Sequence, residues 1–405
     1  MYEIGWLEEV VVLSLEIKTP IWTGDIDTRS NLLQSTGFLG SIRWWIEAIL
    51  RGMGKYACDP TGSTRCPRQG DTQKMYCPVC LIFGASGMRR LFRLEVGGGE
   101  ILFDGDAIKI IPCKRRRGWY LGSGIKGGMR LKVTSLDKDF DESLVLIPLI
   151  LASKWGGIGA KTQHGYGVVE VENQPDSDFN KFKEALERII KNKISRLNLG
   201  ERHENDGSLP NLKEMFFAKV RFEANYNWWR NVDGIALSGQ RGQGYRYPSF
   251  PADKWIESWA CSGSVPIAPA IKNWLRYGNG AVLWKTKDQN RDREIEDWLF
   301  GTIRGEKRAS KVNVSCAYKV DENLWEFRVW GWIPGNSSPS GFDREEFLDK
   351  LKQSGTSSMG IPWNNLLGNQ TKNHKLWVWR EFNSLRDSVQ NQNDIGDYLQ
   401  SLLKS

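Results

Sequence analysis

Four of the chain's seven cysteines, Cys58, Cys66, Cys77 and Cys80, crowd into one segment in the pattern C-x7-C-x10-C-x2-C. Four thiolates are the donor set of a tetrahedral zinc ion, and the tight C-x2-C knuckle at Cys77 and Cys80 supplies half of one. Pro67 and Pro78 directly follow cysteines, which suits knuckle turns, while the wide first spacing leaves reduced, buried thiols as the alternative. A structural zinc is thus a candidate, a catalytic one is not, and no cofactor is required. Acid–base chemistry by histidine has only His164, His203 and His374 to draw on.

The stretch "WGGIGAKTQHGYGVVEVEN", Trp155 to Asn173, looks at first like a phosphate-gripping loop. A Walker A loop needs glycine before its Lys-Ser/Thr pair, whereas Ala160 precedes Lys161 and Thr162 here. It also joins a strand to a helix, and this loop runs the other way, from the apolar "ESLVLIPLILASKW" into the alternating, valine-rich "YGVVEVEN". Pro148 in the apolar run disfavours a strand and suits a helix that starts late or kinks. No nucleotide partner is expected. Glycines as dense as Gly156, Gly157, Gly159, Gly165 and Gly167 let backbone N–H groups approach phosphates, with Lys161, Gln163 and His164 adding charge and hydrogen bonds. The competing expectation is that Gly156 and Gly157 cap the preceding helix in the left-handed conformation.

Other basic residues lie beside aromatics or glycines. Arg43 precedes Trp44 and Trp45, with Arg51 two turns on; Arg89 and Arg90 end "LIFGASGMRR"; Lys114, Arg115 and Arg116 open "CKRRRGWYLGSGIKGGMR"; Arg241 and Arg246 punctuate "SGQRGQGYRYPSF". Such mixtures suit a phosphate backbone and stacked bases, although charge runs are often only solvated. The net charge of +8 points weakly the same way.

These residues must be positioned by a duplicated scaffold. The first half reads β-α-β-β-α-β: strand "VVVLSLEIK", helix "LGSIRWWIEAILRG", the cysteine insertion, strand "RLFRLEV", strand "MRLKVTSL", the apolar helix, and "YGVVEVEN". The second half repeats the order from "EMFFAKVRFEAN" through "APAIKNWLRYG", a strand within "KVNVSCAYKV", "NLWEFRVWGWIP" and "DREEFLDKLKQ" to "HKLWVWREF". Wording repeats as well: "SIRWWI" matches "AIKNWL", and "LIFGASGMRR" matches "LFGTIRGEKR". The expectation is an α+β chain of two tandem ferredoxin-like (βαββαβ, RRM-like) domains. The first spans residues 1–175, with the cysteine insertion near 52–82; a helical and polar connector spans 176–210; the second domain spans 211–405. The longest apolar runs fall far short of a membrane span, and "MYEIGWLEEVVVLSLEIK" is acidic where a signal peptide would be basic. A soluble, cytoplasmic protein without a membrane partner is expected.

On "TPIWTGD", "GFLGSIRWWIEAIL", "CPVCLIFG" and "GGIGAKTQHGYG", the chain resembles the RAMP superfamily of CRISPR-Cas RNA-binding proteins. The "R-W-W" helix with "C-P-V-C-x-x-F-G" looks more specifically like the first RAMP subunit of the Cmr complex, the type III-B RNA-targeting effector. The resemblance is densest over Val10 to Val171, and "SSMGIPWNNLLGNQTKNHKLWVW" lacks the repeated glycines of a RAMP loop. It implies a non-catalytic subunit of an antiviral-defence complex. Such a subunit holds CRISPR RNA near its 3′ region, helps engage single-stranded target RNA and contacts other Cmr subunits, with slicing carried by a different subunit. In that superfamily the glycine loop contacts RNA. Some relatives cut CRISPR RNA without metal, using a histidine near the 2′-OH, so an endoribonuclease centred on His164 is the alternative.

Overall fold

The structure is a computed structural model. It describes residues 9–404 apart from 26–28, 69, 71–74, 104–106, 113–117, 176–177, 198–207, 236–251, 304, 357–359, 391 and 393.

The first half runs β1 (Val10–Ile21), α1 (Ser35–Gly52), α2 (Pro78–Phe83), β2 (Phe92–Ile101), β3 (Ile108–Ile110), β4 (Trp119–Leu121), β5 (Ile125–Ser135), α3 (Ser143–Trp155) and β6 (Val169–Val171). Its four-stranded sheet has the order β2-β5-β1-β6 with every pairing antiparallel, the topology of a ferredoxin-like unit. Period-2 alternation turns Leu13, Leu15 and Ile17 of β1 toward the helices. The opposite face exposes Val12, Arg93, Arg130 and Lys132. The hairpin β3–β4 is an insertion inside the basic, glycine-broken region, too short for the sequence pattern to announce.

The chain continues through α4 (Phe179–Leu197), β7 (Met215–Ala224), α5 (Ala252–Cys261), β8 (Ser264–Val265), α6 (Ala268–Tyr277), α7 (Gln289–Phe300), β9 (Val312–Val314), β10 (Ala317–Lys319), β11 (Leu324–Trp332), α8 (Arg344–Thr356), α9 (Trp363–Leu366), β12 (Thr371–Glu381) and α10 (Ile395–Lys404). The second sheet has the order β12-β7-β11-β10-β8, and β9 also pairs with β11. β9 and β10 both pair with β11 and are thus one strand broken at Ser315 and Cys316, with β8 added beyond β10, and the second half repeats the ferredoxin-like order.

The repeated wording has a structural counterpart. α2 ends at Phe83 and α7 at Phe300, each followed by a glycine of positive φ, Gly84 at 84° and Gly301 at 77°. Each glycine opens a turn closed by a short bridge, Ala85 to Met88 in one half and Thr302 to Arg308 in the other.

The two cores do not divide at the expected boundaries. α4 buries Phe182, Ala185, Leu186 and Ile189, one face at helical spacing, against the first domain. α10 returns to the same core with Tyr398, Leu399, Leu402 and Leu403, and Trp155 Nε1 donates to the Leu402 carbonyl at 2.9 Å. The connector and the C-terminal helix therefore belong to the first core, a correction that follows from where their apolar faces lie. α3, buried at every position except Lys154, is enclosed on all sides, with Pro148 inside it rather than before it.

The second sheet is covered on both faces. Phe216, Val220 and Phe222 of β7 face its own helices, while Met215 and Phe217, with Trp330 and Trp332 of β11, join the first core. Trp45 of α1 stacks on Phe217 at 6.2 Å and meets Trp330 at 5.6 Å, and Arg328 donates to the Gly156 carbonyl at 3.0 Å.

Candidate nucleic-acid interface

The motifs quoted from the sequence meet at the ends of β1, α1 and α3. Ala160 donates to the Trp22 carbonyl at 2.6 Å, Gly159 N–H to Ser41 Oγ at 2.8 Å, and Gly167 N–H to the Pro20 carbonyl at 2.9 Å. "TPIWTGD", the start of α1 and the glycine loop are thus one structure.

The loop's geometry corrects two expectations. Gly156 has φ −133° and Gly157 is not left-handed either, so neither caps α3 in that way; the left-handed residues are Gly159, Lys161, Gly165 and Gly167. Glycine is needed at 156 because a Cβ would lie 2.2 Å from the Trp45 ring, and the Gly157 carbonyl accepts from Trp45 Nε1 at 3.4 Å. Six of its amides are also not free to cradle a phosphate: the N–H groups of Ile158, Gly159, Ala160, His164, Gly165 and Gly167 all have partners inside the protein. The glycines allow close packing instead. A Cβ at Gly165 would sit 2.5 Å from Cys316 N, whose N–H donates to the Gly165 carbonyl at 2.9 Å. The break between β9 and β10 is where the first domain's loop docks on the second.

What the loop presents outward is side chain. Lys161 is held at φ 58° with its ammonium 3.2 Å from the centre of the Trp22 ring, and burial lowers its pKa. Gln163 is exposed. His164 meets Trp119 of β4 edge-on at 5.0 Å, and its Nδ1 is buried without a hydrogen bond among the described residues. Burial, with Lys272 and Lys161 nearby, pushes its pKa down to about 4, so the ring is neutral at physiological pH.

Beyond His164 opens a cleft of about 790 Å3, lined by Trp119, Gln163 and His164 from the first domain and by α6, α7 and the 300–308 turn from the second. Lys272 of α6 reaches in, donating to the Gln163 carbonyl at 3.3 Å and to Ser310 Oγ at 3.1 Å. Burial, then Arg276, lowers its pKa to about 7. Lys285 and Arg293 add exposed charge, Tyr277 of the cleft and Tyr120 beside it are about half exposed, and Arg276 is paired with Glu296 and Asp297. Among the described residues no carboxylate forms an ion pair with Lys161, Lys272, Lys285 or Arg293. Sequence reasoning passed over Lys272, although "SIRWWI" and "AIKNWL" align it with Arg43, the position singled out in the first half.

The remaining predicted residues divide. Arg43 is turned inward, donating to Glu47 at 2.8 Å, the Gly84 carbonyl at 3.1 Å and Cys80 Sγ at 3.2 Å. Arg51 is buried against the carbonyls of Ala57, Cys58 and Pro210. Their donors are committed to the protein, which corrects their expected place on RNA. Trp44 lies in the domain joint, edge-on to Trp45 and Trp330. Arg89 is exposed on the turn after Gly84, and Arg90 donates to the Phe92 carbonyl at 2.9 Å. Lys114, Arg115, Arg116, His203, Arg241 and Arg246 lie outside the described residues. Cys58, Cys66, Cys77 and Cys80 converge, all buried, with their sulfurs within 4.8 Å of one another, an arrangement able to hold a metal ion.

No helix among the described residues is long and apolar enough to cross a membrane. No curated protein matches the chain. Among solved structures it is similar to the apo crystal structure of Cmr1 from Pyrococcus furiosus, at 14% identity over 83% of this chain and 90% of that one, with a TM-score of 0.34. It is also similar to a chain of the cryo-EM structure of the type III-B Cmr-beta bound to cognate target RNA, at 12% identity over 86% and 99%, with a TM-score of 0.38. Superpositions this loose add nothing to the topology, which rests on the strand order. The family model that matches is that of the RAMP superfamily, over residues 14–170, from β1 to β6 and including every motif that meets at the glycine loop. Over those residues, most of its first domain, this chain is similar to the RAMP superfamily.

Proposed function

We propose that the chain is a non-catalytic RNA-binding subunit of a type III-B CRISPR (Cmr) effector, holding CRISPR RNA near its 3′ region and helping engage single-stranded target RNA. The observation that carries this reading is the cleft between the domains, where Lys272, Lys285 and Arg293, with no ion-pair partner among the described residues, stand beside Trp119 and Tyr277, next to the RAMP glycine loop. Cations that track a backbone, with aromatic faces on which bases stack, are the requirements of single-strand binding with little sequence preference. The motif resemblance supplies the type III-B assembly. The test is titration of labelled single-stranded RNA with the wild type and the Lys161→Ala and Lys272→Met variants, one from each domain. Weaker binding in both, with RNA recovered intact and with similar affinity for unrelated sequences, supports the reading. Unchanged binding in both removes the cleft from it. RNA cut by the wild type and spared by His164→Ala would install the nuclease instead, although an imidazole with a pKa near 4 is a weak base at neutral pH.

A further inference from the structure

We propose that Cys58, Cys66, Cys77 and Cys80 bind one zinc ion in a closed structural centre, with Arg43 as its charge-compensating partner. The proposal stands independently of RNA binding. Zinc–sulfur bonds of about 2.3 Å place tetrahedral sulfurs about 3.8 Å apart. Cys58 Sγ lies 3.5 Å from Cys80 Sγ and 3.7 Å from Cys77 Sγ, and all four sulfurs lie within 4.8 Å of one another. All four residues are buried, and among the described residues no histidine or carboxylate joins the set, so four thiolates fill the four positions of a closed site. The Cys77 N–H donates to Cys66 Sγ at 3.3 Å, an amide-to-sulfur contact that stabilises a thiolate more than a thiol.

Electrostatics argues the same way. Arg43 and Arg51 are both largely buried beside the cluster, and among the described residues Glu47 is the one carboxylate paired with them, at 2.8 and 3.6 Å. The next carboxylate, Asp59, accepts instead from the backbone and hydroxyl of Thr61. Two cations against one anion leave a positive charge that neutral thiols would not balance, and an unpaired buried charge is strongly disfavoured. A tetrathiolate zinc centre carries two negative charges, and Arg43 donates to one of its sulfurs, Cys80 Sγ, at 3.2 Å. The same guanidinium grips Gly84 beyond α2, so the centre fixes the insertion onto α1.

The full-length chain, purified without chelator from zinc-supplemented cells, should contain one zinc per molecule by elemental analysis. Its cobalt-substituted form should show the sulfur-to-metal charge-transfer absorption of a tetrahedral tetrathiolate. Cys58→Ser and Cys77→Ser should lose the metal; if they fail to fold, the wild-type metal content and cobalt spectrum decide alone. Arg43→Gln should keep the zinc but bind it about 10- to 100-fold more weakly in chelator competition, with recovery in Arg43→Lys. A metal-free wild type, iron in place of zinc, a disulfide found by mass, or a cobalt spectrum lacking the thiolate band would overturn the proposal. Zinc affinity unchanged in Arg43→Gln would overturn the role of Arg43.

Discussion

Lys272 combines a cationic side chain with enclosure by Gln163, Ser310 and the Trp119 ring, which is why its pKa falls to about 7, with Arg276 adding to the effect of burial. Its unfolded value is about 10.4, so between about pH 7 and 10.4 the unfolded chain binds the extra proton and this residue's contribution makes stability rise with pH. RNA needs the opposite state, the ammonium. Affinity for single-stranded RNA is therefore expected to rise as pH falls from 8 to 6, and Lys272→Met should flatten that profile; His164, titrating near 4, does not contribute there. A profile equally steep in the variant would assign the effect elsewhere. At Gly165, φ is 101° and a Cβ would lie 2.5 Å from Cys316 N, so Gly165→Ala should cost about 1–3 kcal/mol in denaturant unfolding and weaken RNA binding together. Lys161, Gln163 and His164 were legible in the sequence because one local motif holds them. Lys272 was not, because only the docking of the domains brings it to Gln163.

Elements were legible where a period was long enough to count. β1, β5, β7 and β11 announced themselves by alternation, and α1 by its apolar face; the three-residue strands β3 and β4 and the helices α5 and α7 did not. The broken strand was read as one element, since nothing local says that a loop from the other domain will pair with Cys316. β12 ends in a buried ion network that sequence spacing also leaves invisible. Arg380 Nε donates to Asp387 at 3.1 Å, and Arg386 donates to Glu381 at 2.8 Å and to Asp349 at 2.9 Å. Because Arg380 is fully buried, Asp387→Ala would remove the carboxylate that its guanidinium pairs with. The expected loss is about 3–5 kcal/mol in urea or guanidinium unfolding. A loss below about 1 kcal/mol would mean that water reaches the guanidinium.

Internal repetition revealed the two ferredoxin-like units, but not how they sit. The second sheet uses both faces, one for its own helices and one for α1 and α3, so the joint is a continuous apolar core with Trp45, Phe217 and Trp330 at its centre. Trp330→Ala should cost about 3–5 kcal/mol. It should also loosen the cleft, because the same packing that buries the tryptophans sets His164 against α6. The most direct measurement for the account as a whole is the dependence of RNA affinity on salt, for the wild type and for the Lys285→Ala/Arg293→Ala double variant. Both residues are exposed at the cleft and leave the core untouched. Each phosphate contact contributes about 0.7 to the slope of log affinity against log salt for single strands. Weaker binding and a slope shallower by up to about 1.4 are expected in the variant; identical affinity and identical slope would place the RNA somewhere other than the cleft between the domains.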